Sequence, residues 1–297
     1  MISVQEVIGK ETMFNKAAKI TYELVSQSSN SIYKINADGI DYILRIDGEQ
    51  KDYLGLDRGL EVAAMNQAAD IGLSPKIFSS DDERYIIMEC ITGRYINNEK
   101  MLEREYITKM VDAMKKAHRI SGIDRACSPF YMLDKYIAGI QSFNVTVPDG
   151  FYELLKMLPA IEKRYSQNQS YTTRYCHNDF FTFNMIDQTD RIVIIDWELS
   201  GMSSIFFDLS TLSFSAMYND EQDRFMLESY FGDYEDEYKI LLDDMKYMNM
   251  LRDAGWLLLH VGINNDDTDS YCYLEAKKTI GNIQRNHPHF RCGCETI

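Results

Sequence analysis

Two short segments near the middle of the chain hold residue types that could do chemistry. The first runs His177-Asn-Asp179-Phe-Phe-Thr-Phe-Asn184, an acid followed by an amide five positions later. The second runs Ile192-Val-Ile-Ile-Asp196-Trp-Glu198, four consecutive β-branched residues that end in an acid. Such an apolar run reads as a buried strand, and an acid at its end emerges at the lip of a cleft. Phosphoryl transfer needs this kind of equipment. One carboxylate must orient and deprotonate the attacking hydroxyl. An amide oxygen and a second carboxylate must hold magnesium, which prefers hard oxygen ligands. Asp179 fits the first task, and Asn184 and Asp196 fit the second. His177, at the head of the loop, is expected to brace the backbone rather than act as base. Two other readings use the same residues. Asp and Asn favour turns by bonding their own backbone, which suits either segment taken singly better than both together. Metal-assisted hydrolysis also uses acids, but wants more His or acid ligands nearby.

Elements that could position these residues are legible along the chain. Residues 4–25 mix apolar and polar types at near-helical spacing. Alternating runs at Ile32–Asn36 and Ile40–Ile46 flank Asp38-Gly39, a hairpin signal because Asp-Gly tolerates the positive φ of a tight turn. Asp57–Gly72 predicts a helix with Leu60, Ala64, Met65, Ala68 and Ala69 on one face; Gly72 stops it and Pro75 follows. Short strands are expected around Lys76–Ser79 and Tyr85–Cys90. Beyond Thr92-Gly93 the chain turns mostly helical: Glu103–Ile120, Phe151–Tyr165, Phe225–Tyr230, Glu235–Met250, Leu251–Gly262 and Tyr273–Arg285. The exception is Tyr175–Ile186 and Arg191–Asp196, which bracket the turn Asp187-Gln-Thr-Asp190. This pattern fits an α+β chain with a small antiparallel β N-lobe (1–90) and a larger, mainly helical C-lobe (91–297).

Composition narrows the classes. The 297 residues are 45% hydrophobic and 26% charged, enough for one large domain or two lobes and unlike a disordered chain. The net charge of −15 repels nucleic acid and favours cationic partners. The first residues lack a basic region followed by an apolar one, and no apolar run is long enough to span a bilayer, so no membrane insertion and a cytoplasmic location are expected. The six cysteines form no C-x-x-C pair and read as free thiols. His287, His289, Cys292 and Cys294 could bind a metal, although no second ligand cluster is spaced to complete a tetrahedral site.

The pattern H-N-D-x-x-x-x-N followed by I-D-W-E resembles the active-site motifs of the aminoglycoside phosphotransferase and choline kinase superfamily, and most closely the bacterial choline/ethanolamine kinases. Asp196-Trp-Glu-Leu-Ser-Gly-Met, then Phe207-Asp208-Leu209, follows the same order. Upstream, Ser29-Asn30-Ser31-Ile-Tyr33, Tyr42-Ile-Leu-Arg45-Ile, Asp57-Arg58 with Glu61, Leu73-Ser-Pro75 and Met88-Glu-Cys-Ile-Thr-Gly93 resemble further family segments, so the likeness runs over about residues 20–285. It implies a two-lobed protein-kinase-like fold, ATP and Mg2+ as cofactors, and a small, cationic alcohol as the other partner; it admits a homodimer. By the same resemblance, Ser29, Asn30 and Ser31 would cradle the phosphates and Arg45 would contact them, its fork suiting phosphate better than a lysine would. Glu61 would hold Arg45. Backbone groups of Glu89 and Ile91 would meet the adenine edge. Glu198, returned to the side of Asp196 by strand alternation, would reach magnesium through water. Asp208 would brace the catalytic loop.

The acceptor end departs from the pattern. Choline kinases hold a quaternary ammonium in an aromatic and acidic box. Here Ser215 stands where the family has an acid, and Trp256-Leu-Leu-Leu259 keeps only the first of two tryptophans. Tyr218, Trp256 and Tyr271 are the candidate substrate contacts. The acceptor is expected to be choline or ethanolamine, with an aminoglycoside or sugar hydroxyl as the alternative. A nucleotide-binding pseudokinase is the remaining class, opposed by the intact Asp179, Asn184 and Asp196.

Overall fold

Asp38 and Gly39 take left-handed backbone, with φ of 51° and 89°, and close a hairpin between β2 (Asn30–Ala37) and β3 (Ile40–Asp47). The computed structural model describes residues 2–27, 30–48, 56–81 and 84–286. Contacts divide the chain into two units, Met1–Arg125 with Thr182–Ser200, and Ala126–Phe181 with Gly201–Ile297.

The first unit is built on a five-stranded antiparallel sheet in the order β1-β2-β3-β5-β4, where β1 is Ile20–Gln27, β4 is Ile77–Asp81 and β5 is Tyr85–Glu89. One face of the sheet packs Ile35, Leu44, Ile46, Tyr85 and Ile87 against Val4, Val7 and Phe14. Val4 and Val7 come from α1 (Val4–Lys10), whose start is fixed by a reciprocal Ser3–Glu6 capping box. The helical spacing expected through residue 25 ends earlier, because Ile20–Gln27 is a strand. It lies at the sheet edge with Tyr22, Leu24 and Val25 exposed, so neither face imposes the alternation that would have marked it.

Helix α2 (Arg58–Asp70) begins where the Asp57 side chain accepts from the Leu60 N–H and ends as Gly72 adopts φ 70°. The first unit also holds a three-stranded sheet in the order β6-β8-β9, formed by β6 (Arg94–Tyr95), β8 (Met185–Asp187) and β9 (Ile192–Ile194). After the short α3 (Asn98–Met101), α4 (Arg104–Ala117) packs on β9, burying Ile107, Met110, Val111, Met114 and Ala117 along the expected stripe. That packing keeps residues 91–125 with the first unit, so the contacts do not divide the chain at residue 90.

The second unit is mainly helical. It comprises α5 (Pro129–Ser142), α6 (Phe151–Leu154), α7 (Leu158–Thr172), the antiparallel pair β7 (Thr173–Cys176) and β10 (Gly201–Ser204), α8 (Ile205–Ser215), α9 (Asp220–Phe231), α10 (Asp236–Asn264) and α11 (Tyr271–Asn286). The helices expected at 235–250 and 251–262 are one, because no breaker stands between Met250 and Leu251. Instead α10 runs for 29 residues and packs on α5, α8 and α11. The buried stretch Ile205–Ser213 of α8 lacks the polar face that would have announced a helix. The whole is α+β, with an antiparallel sheet N-terminal and helices C-terminal. Among the described residues no helix is long and apolar enough to cross a membrane.

Gly93 shows how closely the first unit packs before β6. A Cβ there would lie 2.8 Å from the Asp187 carbonyl oxygen, an unyielding neighbour. Gly93→Ala is therefore expected to destabilise the protein by about 1–3 kcal/mol, as overpacking does. Urea unfolding of the two proteins measures this.

Candidate active site

The hairpin β8–β9 explains why two distant residues of the motif come together. Its turn closes with the Gln188 N–H donating to the Arg191 carbonyl (2.9 Å), and Met185 faces Ile194 across the ladder. At the opposite end the Ile195 N–H donates to the Asn184 carbonyl at 2.9 Å. Asn184, closing the single 3-10 turn Thr182–Asn184, and Asp196, two residues past β9, therefore leave the hairpin at the same end. Asp196 has φ 67°, a left-handed backbone that Asp tolerates better than most residues and that is concentrated at functional sites.

Both residues line a cavity of about 680 Å³ within the first unit, and so do Asn30, Arg45, Glu89 and Ile91. Its remaining wall is largely apolar, with Val25, Ile32, Ile43 and Met65 from one stretch of chain and Phe183, Ile186 and Ile195 from another. A cavity of this size, apolar but for a few convergent polar groups, suits a flat heterocycle with a charged tail. The amide oxygen of Asn184 and the carboxylate of Asp196 are hard donors, and they fit magnesium. Ser29 lies outside the described residues, as does the His287–Cys294 cluster.

Behind the cavity is a buried ion network. Arg45 donates two hydrogen bonds to Glu61 (2.5 and 2.8 Å) and a third to Asp47 (3.1 Å). Arg58 lies 2.9 Å from Asp47, and it donates to Glu61 (2.8 Å), Glu198 (2.9 Å) and Asn30 (3.2 Å). Burial pushes the Glu61 carboxyl up, but the charge and hydrogen bonds of Arg45, then those of Arg58, outweigh it and hold the group below the ordinary glutamate range. Glu198 does not reach its place by strand alternation. The strand ends at Ile194, and Glu198 instead bonds Arg58 and the Asn30 amide, the latter at 3.1 Å. Arg58 and Asp47 were not among the expected site residues. Arg58 stands three residues before Glu61, a helical spacing for an ion pair that could have flagged it.

Asp179 belongs to the second unit. Asp208, in the first turn of α8, accepts from the backbone N–H groups of His177 (2.8 Å) and Asn178 (2.7 Å). Asn178 is left-handed, with φ 62°. The Asp179 carboxylate in turn accepts from Arg252 of α10 at 3.3 Å, a residue that sequence reasoning missed because a lone Arg in a helix carries no signal.

The acceptor candidates are dispersed. Trp256 lies against the His260 ring on α10, with ring centroids 4.1 Å apart. Tyr218 is buried, and burial pushes its hydroxyl pKa up. Tyr271 opens α11 and is 75% exposed. Ser215 donates to the Leu212 carbonyl. Leu259, where the family has its second tryptophan, is buried against Gly139 of α5. The Trp197 ring is fully buried, its indole N–H donating to the Ile194 carbonyl.

Comparison with known proteins adds to this geometry. The family model described as Choline/ethanolamine kinase matches residues 19–256. Protein LicA of Haemophilus influenzae is 24% identical over 254 residues, covering 80% of this chain and 72% of that protein. Among solved structures, a choline/ethanolamine kinase family protein from Mesorhizobium loti superposes with a TM-score of 0.76 at 24% identity, covering 96% of this chain and 94% of that one. The choline kinase LicA from Streptococcus pneumoniae gives 0.72 at 20% identity, covering 94% and 100%. The fold is thus the kinase-like one.

The network around Glu61 generates a prediction. A carboxyl whose pKa is lower in the folded state stabilises the fold above its unfolded value, and that contribution is lost as pH falls through the folded value. Glu61 should contribute fully above its ordinary value of 4.5 and lose that contribution at lower pH. Glu61→Gln should destabilise the protein at pH 7 by about 3–5 kcal/mol, as breaking a buried pair does. The deficit should shrink as pH drops below that value, measured by denaturant midpoints across pH.

Proposed function

Because the chain belongs to the choline/ethanolamine kinase family, and is thereby an ATP-dependent phosphotransferase with an alcohol acceptor, we propose that it moves the γ-phosphate of ATP to the hydroxyl of an amino alcohol, choline foremost. Transfer is direct and in line, with Asp179 as base. One observation carries this: Asn30, Arg45, Glu89, Ile91, Asn184 and Asp196, separated by up to 166 positions in the chain, line a single cavity.

The adenine lies between the apolar walls, its edge met by backbone groups of Glu89 and Ile91. Arg45, its fork held by Glu61 and its Nε by Asp47, turns its remaining N–H groups to the phosphates, and Asn30 and Ser31 border them. Asn184 and Asp196 would hold magnesium, and Glu198 would reach it through water. When bound, that ion neutralises charge on the phosphate oxygens. Asp179 orients the acceptor hydroxyl and takes its proton as the new O–P bond forms and ADP departs. His177 and Asp208 keep the loop in shape. Trp256 offers a ring face to a cationic acceptor, and Tyr218 and Tyr271 are the further acceptor contacts. The nucleotide would bind within the first unit, Asp179 and the acceptor candidates belong to the second, and the enzyme works in the cytoplasm.

A second reading, transfer to an aminoglycoside or sugar hydroxyl, draws on Ser215 and on Leu259. The first removes an acid and the second an aromatic from the family's cation box.

Two measurements test these statements. Incubated with ATP and magnesium, the protein should phosphorylate choline or ethanolamine faster than any aminoglycoside or sugar. Transfer to one of the latter alone would replace the acceptor and leave the mechanism standing. Asp179→Asn should cut kcat by about 10²–10⁴-fold, the range of general-base catalysis, while the Kd for ATP is unchanged. Undiminished turnover would remove Asp179 from the base role.

A further inference from the structure

Arg252 is a cation in an unusual position. Its side chain is only 4% exposed, in the middle of α10, beside Asp253 and facing Asp179 and Tyr136. One nitrogen donates to Asp179 Oδ1 (3.3 Å), and another donates to Asn249 Oδ1 one turn earlier (3.1 Å). Asn249 is itself fixed, since its amide donates to Thr211 Oγ1 (2.8 Å), and the Thr211 hydroxyl donates to the Phe207 carbonyl (2.9 Å). The guanidinium sits near two rings, 5.6 Å from the Phe181 centroid and 5.5 Å from that of Phe207. Phe181 is two residues past Asp179, and its N–H donates to the Asp179 carbonyl at 2.7 Å.

One turn of α8, Phe207–Thr211, thus acts on Asp179 twice. Through Asp208 it holds the backbone of residues 177 and 178. Through Thr211, Asn249 and Arg252 it holds the carboxylate itself. A buried guanidinium is costly unless it is paired, so its retention against one oxygen of this carboxylate needs a reason beyond stability. We propose that Arg252 is a positioning residue, which fixes the rotamer of the Asp179 carboxylate so that the base meets the acceptor hydroxyl at a defined angle. This rests on the assignment of Asp179 as base.

Purified full-length Arg252→Gln, Arg252→Lys and Thr211→Val are compared with Asp179→Asn and with the double variant Arg252→Gln/Asp179→Asn. The readouts are kcat, KM for ATP and thermal midpoint. A misaimed base should lower kcat of Arg252→Gln by about 10²-fold with KM for ATP within about twofold. Arg252→Lys, which keeps the charge but not the planar fork, should recover part of the loss. Thr211→Val should lose several-fold, and the double variant should be no slower than Asp179→Asn. A kcat of folded Arg252→Gln close to that of the parent, with Asp179→Asn inactive, overturns the clamp and leaves the base assignment intact. If Arg252→Gln does not fold, unchanged kcat in both Arg252→Lys and Thr211→Val overturns it equally. Full activity of Asp179→Asn would instead overturn the base assignment, and the clamp with it.

Discussion

The first unit depends on a buried cluster of two guanidiniums and three carboxylates. Arg45 and Arg58 bridge Asp47 at the end of β3, Glu61 in α2 and, through Arg58, Glu198 beyond β9. No member could be buried singly, because an unpaired charge in such a place costs several kcal/mol. Strand, helix and loop are therefore held in one register by charges that must find one another. Arg45 reaches the cavity already pinned on its other side, so little conformational freedom is left to lose when an anion arrives.

Backbone geometry completes what the charges begin. Asn178 and Asp196, each adjacent to or within the motif, have left-handed φ without being glycine. Such conformations persist where surrounding bonds over-determine them. Asp208 supplies those bonds for the first loop. For the second, the Ile194 and Ile195 N–H groups donate to the Leu73 and Asn184 carbonyls. Hydrogen bonds to the backbone thus help hold both motif loops.

Much of this was legible in the sequence. The Asp38-Gly39 hairpin, α2 with its glycine stop, the apolar stripe of α4 and the β8–β9 turn follow from local rules that the structure obeys. β1 was missed because an edge strand exposed on both faces shows no alternation. α8 was missed because a helix buried all round shows no polar face, and α10 was divided although nothing in it breaks a helix. For the site, the residue types were legible, and the fold pairs Arg45 with Glu61 and brings Asn184 and Asp196 to one cavity. The route of Glu198 was not legible, since strand alternation cannot operate beyond the strand.

Sequence by itself determined which residue types were available for the chemistry and which loops carried them: the acid and amide of residues 179–184, the acid at the end of the β-branched run, and the Arg and Glu upstream. These are short-range patterns, and local physics suffices for them. Only the tertiary structure decided which charges neutralise one another. Arg58 was one helix residue among several until burial placed it against Glu198, 140 positions away, and Arg252 was a lone cation until α10 brought it to Asp179. Desolvation makes such pairings obligatory, and desolvation is a property of the packed chain that no local window contains.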